Sequence, residues 1–381
     1  MENKIVRFGE LYQIPSSNGL SRPSAVRGIG FKMINMGELF ANNIISDIPM
    51  ERVQMSETEQ KKFFVEQGDL LFARQSLVAE GAGKCSIVKF FNEPTTFESH
   101  LIRVRLNQKV ANPWYYYYLF QLKSNPIKAI INQCAQAGIR GSELVRIKVP
   151  NPPLPTQQKI ASILSAYDNL IQNYKKQIEA LQTAASELYK EWFVRFRFPG
   201  WQTTKFENGI PKGWKVEKLT KLVEVKYGKD HSKLDVGNIP VYGSGGIMRY
   251  CNKALYDKET VLIPRKGSLN NIMYANNPLW TVDTMFYTVM LRKNIAKYLY
   301  YVLSKIDMES FNAGAALPSM TTEILSHFKI IVPDNEILES FDKKIALIFT
   351  QIDNLQQQIT NLTQQRDLLL PRLMSGKLEV E

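Results

Sequence analysis

The sequence predicts an α+β fold with an internal repeat, in which two long helices join two mixed α/β domains. Three observations support this fold class. A short motif recurs 185 residues further along the chain, both copies begin a stretch of heptad spacing, and each copy follows a region of mixed short strands and helices. We place the boundaries at residues 1–150 (first domain), 151–198 (central helix), 199–333 (second domain) and 334–381 (C-terminal helix).

The repeat aligns without a gap. The stretch "QQKIASILSAYDNLIQN" at residues 157–173 matches "DKKIALIFTQIDNLQQQ" at residues 342–358. Similar lead-ins precede the two copies, "ELVRIKVPNPPL" and "EILSHFKIIVPDNEI", and the domain starts "VRFGELYQI" and "WKVEKLTKLVEV" also resemble each other. Among the identical residues are Lys159, Ile160, Ala161, Ile163, Asp168, Asn169 and Leu170, which recur as Lys344, Ile345, Ala346, Ile348, Asp353, Asn354 and Leu355.

Each copy of the motif starts a heptad pattern. Steps of three and four residues place one apolar stripe on one helix face, and such a stripe requires a packing partner. Two matched stripes favour pairing of the helices with each other, and the alternative is that each helix packs on its own domain. A helix of about 35 residues spans roughly 50 Å. The first stripe comprises Tyr167, Ile171, Tyr174, Ile178, Leu181, Ala185, Leu188 and Trp192, and the second comprises Ile345, Ile348, Ile352, Leu355, Ile359, Leu362, Arg366, Leu369 and Leu373.

Inside the domains, β-branched and aromatic residues predict strands at "DLLFAR", "LIRVRL", "TVLIP" and "MFYTVML". The stretches "PWYYYYLFQLKS" and "IAKYLYYVLSKI" predict helices. The tyrosines at 115–118 are candidates for stacking on bases. Successive residues on a helix point in different directions, so the sequence favours a core role for most of them.

The composition indicates a polyanion as the binding partner. The chain has 381 residues and a net charge of +12, with 19 basic against 13 acidic residues in the first domain and 15 against 10 in residues 216–332. From residue 333 onward the balance reverses, at 5 against 8. Nucleic acid is the most common partner for such an excess. The three widely spaced cysteines and the absence of an apolar leader or span predict a protein of the reducing cytoplasm, without a disulfide framework or a Cys-based zinc site.

Polar and basic loops follow the predicted strands, and they supply the residue types that read base edges. Arginine pairs two donors with guanine, and asparagine pairs with adenine. The alternative is that these residues form tight turns and solvated surface. The candidate DNA-binding residues are Arg22, Arg27, Lys32, Arg74, Gln75, Ser76 and Lys84 in the first domain, and Lys229, His231, Ser244, Arg265, Lys266, Ser268, Asn270 and Asn271 in the second.

No catalytic site is predicted. The stretch "NPPL" at Asn151 resembles the tetrapeptide with which amino-methyltransferases hold the group they methylate. An aromatic fourth residue and a preceding cofactor-binding glycine turn are both missing, and the second repeat lacks the paired prolines. The prolines are better explained as the stiff entry to a helix. The isolated histidines His100, His231 and His327 have no metal-ligand spacing, and "EVK" at 224–226 is too short to predict a nuclease.

Several longer stretches resemble conserved regions of one known family. The stretch "PLPTQQKIASILSAYDNLIQNYKKQIEALQ", followed by "LYKEWFVRFRFPG", is similar to its central conserved region. "IPKGWKVEKL", "GNIPVYGSGGIMRY", "VLIPRKGSLNNI" and "LWTVDTMFY" resemble its second domain, and "QQRDLLLPRLMSGKLEV" resembles its C-terminal end. Through these motifs the chain resembles the specificity (S) subunit family of type I restriction-modification systems, and the first domain matches only in outline.

The resemblance implies a non-catalytic subunit with two target-recognition domains, at 1–150 and 199–333, related by a pseudo-twofold repeat. Two long antiparallel coiled-coil helices would hold them at a fixed separation. Each domain would read one half of a split double-stranded DNA target. The helices would also dock two modification (methyltransferase) subunits, and restriction (translocase and nuclease) subunits would join them. S-adenosylmethionine, ATP and magnesium would be used by these partners, with no cofactor or metal bound by this chain.

Two other functions remain open from the residues alone. The first is an enzyme, a methyltransferase or nuclease with a degenerate motif and an active site of its own. The second is an interaction protein whose basic surface binds RNA.

Overall fold

The computed structural model describes residues 4–23, 26–76, 81–133, 137–312 and 318–379. The chain divides into two compact units, and each unit combines distant parts of the sequence. Unit 1 contains Met1–Asn173 together with Gln358–Glu381, and unit 2 contains Tyr174–Gln357. Each unit therefore holds one domain and a segment of both long helices.

Unit 1 contains thirteen described strands and four short helices. The strands are β1 (Ile5–Arg7), β2 (Tyr12–Asn18), β3 (Arg27–Ile34), β4 (Ile44–Ile45), β5 (Arg52–Val53), β6 (Leu70–Ala73), β7 (Gln75–Ser76), β8 (Cys85–Val88), β9 (Thr95–Phe97), β10 (Leu101–Leu106), β11 (Asn132–Gln133), β12 (Ala137–Gly138) and β13 (Lys148–Pro150). The helices are α1 (Met36–Ala41), α2 (Glu57–Phe63), α3 (Pro113–Gln121) and α4 (Gly141–Leu144).

The main sheet of unit 1 has five strands in the order β2-β10-β6-β8-β4. A second sheet, β5-β3-β9, joins β3 to β9 in parallel. The strand β1 pairs antiparallel with β13, the last strand before the long helix. The segments that open and close the first domain are therefore adjacent in space.

Unit 2 has the same plan with fewer strands. The strands are β14 (Phe206–Glu207), β15 (Ile210–Pro211), β16 (Lys215–Lys218), β17 (Val223–Tyr227), β18 (Ile239–Gly243), β19 (Gly246–Cys251), β20 (Thr260–Pro264), β21 (Met273–Ala275), β22 (Trp280–Thr281), β23 (Met285–Met290) and β24 (Lys329–Val332). The short helices are α6 (Ala296–Leu303) and α7 (Thr322–Ser326), and the two long helices of the chain are α5 (Leu154–Tyr189) and α8 (Asn335–Met374).

The sheets of unit 2 reproduce those of unit 1. Its main sheet has the order β17-β23-β20-β21, and its second sheet, β19-β18-β22, contains one parallel pair. The first strand, β16, pairs antiparallel with β24, which directly precedes the second long helix. The predicted internal repeat and the mixed α/β domains are therefore confirmed, as are the four predicted strands (now within β6, β10, β20 and β23) and the helices α3 and α6.

Both predicted heptad stripes lie on long helices, with the stripe residues buried or half-buried and most residues between them exposed. In unit 1, the start of α5 and the end of α8 share one core with the first domain, through Ile160, Leu164, Leu370 and Leu373. In unit 2, Trp192, just after α5, and Phe341 of α8 are in ring contact at 5.9 Å within the core of the second domain. In each unit, both long helices therefore contribute side chains to the core of the domain. Their pairing with each other along the two stripes stays a prediction.

The stretch "NPPL" has a structural role at the start of α5. The Asn151 Oδ1 atom accepts a hydrogen bond from the Tyr116 hydroxyl at 2.9 Å and another from Gln157 Nε2 at 2.8 Å. The fully buried Gln157 also donates to the Pro152 carbonyl and accepts from the backbone N–H of Asn112. Both prolines precede the first helical residue, Leu154. This network fixes the entry of the helix, as the two prolines predict.

The four tyrosines of α3 belong to the core. Tyr115 to Tyr118 are all buried, with at most 3% of their surface exposed. The candidate role in base stacking is therefore wrong, and the core role that the sequence favoured is confirmed. Burial raises the pKa of each of their hydroxyls. The Tyr118 hydroxyl donates to Asp168 Oδ2 at 2.6 Å, and Arg366 NH1 donates to Asp168 Oδ1 at 2.5 Å. A buried carboxylate thus connects α3, α5 and α8 inside unit 1.

Candidate nucleic-acid interface

Three loops of unit 2 lie next to one another and carry all eight predicted contact residues of the second domain. They are residues 228–238 after β17, the Ser244–Gly245 turn between β18 and β19, and residues 265–272 after β20. We call them the loop cluster of unit 2.

Side-chain hydrogen bonds hold the loop cluster in place. Arg249 donates to His231 Nδ1 at 3.1 Å, to the Leu234 carbonyl at 3.1 Å and also to the His231 carbonyl. Because His231 Nδ1 accepts, its ring proton lies on Nε2 in the neutral form. Asn271 Nδ2 donates to the Ser244 carbonyl at 2.8 Å, which ties the third loop to the hairpin turn. The loops therefore form a braced surface.

Arg265 is held at the edge of this surface. Its guanidinium lies over the Tyr227 ring, 5.4 Å from the ring centre, and donates to the Asp283 carbonyl at 3.2 Å. Stacking on an exposed aromatic ring orients a guanidinium and leaves several of its donors free. This arrangement can present a planar pair of donors to a base edge or a phosphate.

The cations of the loop cluster have no acidic partner. Within the described part of the chain, no carboxylate lies within 4.0 Å of the side-chain nitrogens of Lys229, Arg265 or Lys266. Lys229 and Lys266 are exposed. Their charge is therefore available to a polyanion without the prior breaking of an ion pair.

The two asparagines of the third loop, which the sequence predicts to read base edges, are hydrogen bonded to other parts of the protein. Asn270 Oδ1 accepts from the backbone N–H of Met308 at 2.7 Å, and Asn270 Nδ2 donates to Asp307 at 3.2 Å. Its amide edge is thus occupied by the protein itself. Asn271 uses one amide donor on the hairpin turn, whereas Ser268 is exposed. Base reading by these three residues stays a prediction.

In unit 1, three predicted contact residues already have acidic partners. Arg22 pairs with Glu59 at 2.5 Å, Arg27 with Glu51 at 2.7 Å, and Lys32 with Asp47 at 2.6 Å and Glu93 at 3.3 Å. The hydrogen bond to Asp47 is the main cause of the raised pKa of Lys32. A DNA phosphate would have to compete with these carboxylates, so these three cations are less available than Lys229, Arg265 and Lys266 of unit 2.

The remaining predicted residues of unit 1 precede or follow residues 77–80, which are outside the described part. Gln75 and Ser76 form β7, which pairs with β12, and Arg74 directly precedes them. Lys84 lies over the Phe40 ring and donates to the Phe40 carbonyl at 2.5 Å, and burial lowers its pKa. The structure thus assigns Lys84 a packing contact, while a DNA contact by any of these residues stays a prediction.

Two residues of the surface were missed by the sequence-based prediction. Arg249 braces the first loop, and Tyr227 supports the Arg265 guanidinium. The available signal was their position, since Tyr227 directly precedes a glycine loop and Arg249 follows the Gly-Gly turn by three residues. Residue type alone does not separate such supporting roles from contact roles.

Several described residues are of the types used in other kinds of chemistry. Across the described ranges, no group of three or more His, Cys, Asp or Glu residues is arranged to hold a metal ion. Glu224 and Lys226 of the "EVK" stretch form an ion pair with each other on β17. Cys85 and Cys251 are free and buried, and Cys134 is outside the described residues. Within the described residues, every helix is too short or too polar to span a membrane.

Comparison with known families identifies the chain. The family model described as "Type I restriction modification DNA specificity domain" matches residues 2–183 and 211–368, one match for each repeat. The chain belongs to this type I DNA specificity family. The two matches include both domains and most of both long helices, in agreement with the repeated architecture.

Relatives in the family match most of the chain. The type I restriction enzyme MjaIX specificity subunit of Methanocaldococcus jannaschii is 30% identical over 305 residues, which cover 70% of this chain and 69% of that protein. The putative MjaX specificity subunit of the same organism is 26% identical, over 96% of this chain and 91% of that protein. The crystal structure of the type I restriction-modification S subunit from M. genitalium has a TM-score of 0.61 at 18% identity, with 98% and 96% of the two chains covered, and so shares the fold.

Proposed function

We propose that this chain is the DNA sequence-specificity subunit of a type I restriction-modification complex, and that it recognises a split double-stranded target. Membership of the DNA specificity family is the observation that carries the proposal. The internal repeat supports the split target, because two similar domains in one chain can each read one half-site. Paired DNA-reading modules generally engage successive turns of the duplex.

The loop cluster of unit 2 provides the chemistry for one half-site. Arg265, oriented by Tyr227, offers the paired donors that guanine accepts, and the exposed Lys229 and Lys266 suit phosphate contacts. The braced loops reduce the entropy that would be lost when the surface binds. In unit 1, the corresponding contacts are proposed for Arg22, Arg27 and Lys32, in competition with their acidic neighbours, and for Arg74, Gln75, Ser76 and Lys84.

In this proposal the two long helices pair as an antiparallel coiled coil and set the gap between half-sites. Unit 1 contains the first part of α5 with the last part of α8, and unit 2 contains the last part of α5 with the first part of α8. This distribution supports the antiparallel arrangement. Helices of 36 and 40 residues span about 54 and 60 Å.

Partner proteins supply the catalysis. Two methyltransferase subunits dock on the helices and methylate adenine with S-adenosylmethionine, and restriction subunits add ATP- and magnesium-dependent translocation and cleavage. The chain itself acts as a scaffold and reader. The assignment of Asn151 to the start of α5, where its side chain is hydrogen bonded to Tyr116 and Gln157, supports this over a degenerate methyltransferase.

The test is to express the chain with its methyltransferase partner and to map N6-methyladenine across a host genome. We expect one motif with two defined halves and an unspecified gap of constant length. A continuous motif would contradict the split target, and the absence of any sequence preference would contradict the specificity function.

A second measurement tests the enzyme alternative. The purified chain alone, supplied with S-adenosylmethionine or with magnesium and ATP, should neither methylate nor cut DNA that carries the mapped motif. Methyl transfer by the chain alone that is abolished in Asn151→Ala would show an active site in this polypeptide.

A further inference from the structure

The hairpin of β18 and β19 ends in an exposed apolar surface. Met248 has 60% of its surface exposed, Tyr250 50% and Ile247 49%. Contiguous exposed apolar side chains contribute little to folding and generally mark a contact surface. We call Ile247 and Met248 the apolar tip.

A strand irregularity produces the apolar tip. In the β18–β19 register, Tyr242 pairs with Ile247 and Val241 pairs with Arg249, so Met248 is an extra residue in the edge strand. Such a bulge turns a side chain away from the regular alternation of the strand. Both Ile247 and Met248 are consequently exposed, although neighbours in a regular strand point to opposite faces.

Met248 is also positioned by a glycine. A Cβ atom on Gly243 would lie 2.4 Å from Met248 Sδ and 3.0 Å from its Cγ. The side chain of Met248 therefore occupies the space that any larger residue at 243 would require. The side chain of Met248 thus lies against the backbone at Gly243 while 60% of the residue stays exposed.

The hairpin that carries the tip contacts the loop that contains Lys266. Gly243 directly precedes Ser244, whose carbonyl accepts from Asn271, and a Cβ atom on Gly267 would lie 2.7 Å from Ser244 Oγ. Gly267 is therefore close to the hairpin turn, and Lys266 directly precedes Gly267 in the chain. An apolar surface close to an unpaired lysine suits a ligand that has both negative charge and apolar groups. Those apolar groups must be accessible to a two-stranded β-ribbon.

Duplex DNA has one such group. The major groove is wide enough for a two-stranded β-ribbon, and the C5 methyl of thymine is the apolar feature of its floor. We propose that the apolar tip reads thymine in the half-site of unit 2, through van der Waals contact of Met248 and Ile247 with that methyl group. The inference rests on the proposed function and adds a base identity and two specificity residues to it.

The test uses deoxyuridine, which lacks only the methyl group. After the target is mapped, the chain in complex with its methyltransferase partner is titrated with duplexes in which each thymine of the target is replaced by deoxyuridine in turn. We expect one replacement, in the half-site whose recognition Arg265→Ala alters, to weaken binding about fourfold. The double variant Ile247→Ala/Met248→Ala should bind the thymine and deoxyuridine duplexes equally.

Two further variants control for structure. Val216→Ala removes an exposed side chain of β16 in the same unit and should retain the deoxyuridine effect. Met248→Gln retains the length of the side chain and should lose most of the effect, with an unchanged melting temperature. Specific binding without a deoxyuridine effect, or a half-site without any A·T pair, would overturn the thymine contact alone, whereas the absence of specific binding by the wild-type complex would overturn the proposed function.

A wedge between base pairs is a separate outcome. In that case 2-aminopurine placed at the step would brighten on binding, and deoxyuridine would have no effect. Loss of assembly with the methyltransferase in the Ile247→Ala/Met248→Ala variant, with DNA binding by the chain retained, would assign the tip to a protein contact. Either result would contradict the thymine contact.

Discussion

Two aspartates at the same position of the repeat have different environments. Asp168 has 8% of its side chain exposed and receives hydrogen bonds from Tyr118 and Arg366. Asp353 keeps much of its surface exposed, although the surrounding protein removes enough water to raise the pKa of its carboxyl. Residue 181, which aligns with Arg366 at the repeat offset, is a leucine. The repeat therefore conserves the carboxylate but not its cationic partner.

This difference predicts unequal effects of the same substitution. Asp168→Asn should lower the free energy of unfolding by about 2 kcal/mol, since it leaves the Arg366 guanidinium, 25% exposed, with Asp367 as its one remaining acidic partner among the described residues. Asp353→Asn should change it by less than about 0.5 kcal/mol. Denaturant unfolding of the two single variants compares them directly, and equal losses would show that the ion pair adds no stability.

The two domains also differ in how their arginines are engaged. Arg265→Ala should weaken recognition of one half-site by about 1–3 kcal/mol, because its donors are oriented and free of carboxylates. Arg27→Ala should weaken DNA binding by less, since Glu51 already neutralises the guanidinium. Binding assays with each half-site altered in turn would measure both effects. A uniform loss on all sequences in Arg265→Ala would identify a phosphate contact instead.

At the scale of elements, the sequence predicted the helices and strands that follow from the local spacing of apolar residues. The stripe from Ile171 to Trp192, the strand β10 and the helix α3 follow from periodicity and propensity, and the structure has them at the expected places. Contacts between distant residues could not be predicted in this way. Arg27 meets Glu51 24 residues further on, and the carbonyl oxygen of the Asn270 side chain accepts from a backbone N–H 38 residues further on.

For the same reason, sequence-based reasoning could name candidate contact residues but could not separate readers from supports. Arg103 and Arg105 contribute to the basic count of the first domain, yet Arg103 is buried and donates to the Lys62 and Phe64 carbonyls. Arg105 pairs with the buried Asp69. Burial and pairing are properties of the folded chain, so charge counted along a sequence overstates the charge that is available for binding.

The prediction for the long helices is that their length sets the gap between the two half-sites. Duplicating one heptad in both helices, at Asn173/Tyr174 in α5 and at Gln357/Gln358 in α8, keeps the apolar stripes in register and lengthens each helix by about 10 Å. If the helices set the gap, methylation mapping should find the same half-sites with a gap longer by about three base pairs. A seven-residue insertion between Pro199 and Gly200, where both residues are exposed, is the control and should leave the gap unchanged. An unchanged gap in the helix variant would contradict the spacer role.

At the scale of the whole molecule, the net charge of +12 is concentrated in the two domains and reversed in the C-terminal part. This distribution suits two separate contacts with one polyanion and little attraction along α8. The predicted contact cations also differ between the units. Arg22, Arg27 and Lys32 of unit 1 are in ion pairs, whereas the cations of the loop cluster of unit 2 are unpaired among the described residues.

Salt dependence tests this distribution together with the RNA alternative. The affinity for target duplex DNA should fall steeply and linearly on a log–log plot against salt concentration, because bound cations release counterions. Double-stranded RNA of the same sequence should compete weakly at every salt concentration. If RNA competed as well as DNA, the basic surface would serve a different partner.

The division of the chain into units also has a consequence for how the protein is made. Residues 174–357 form unit 2 as one continuous segment, whereas the core of unit 1 includes Leu370, Leu373 and Met374 from the far end of the chain. During synthesis, the domain translated first therefore waits for the last turns of α8 before its core is complete, and the domain translated second can finish before it. A premature stop codon just before the codon of Leu370 would thus damage chiefly the domain that is translated first.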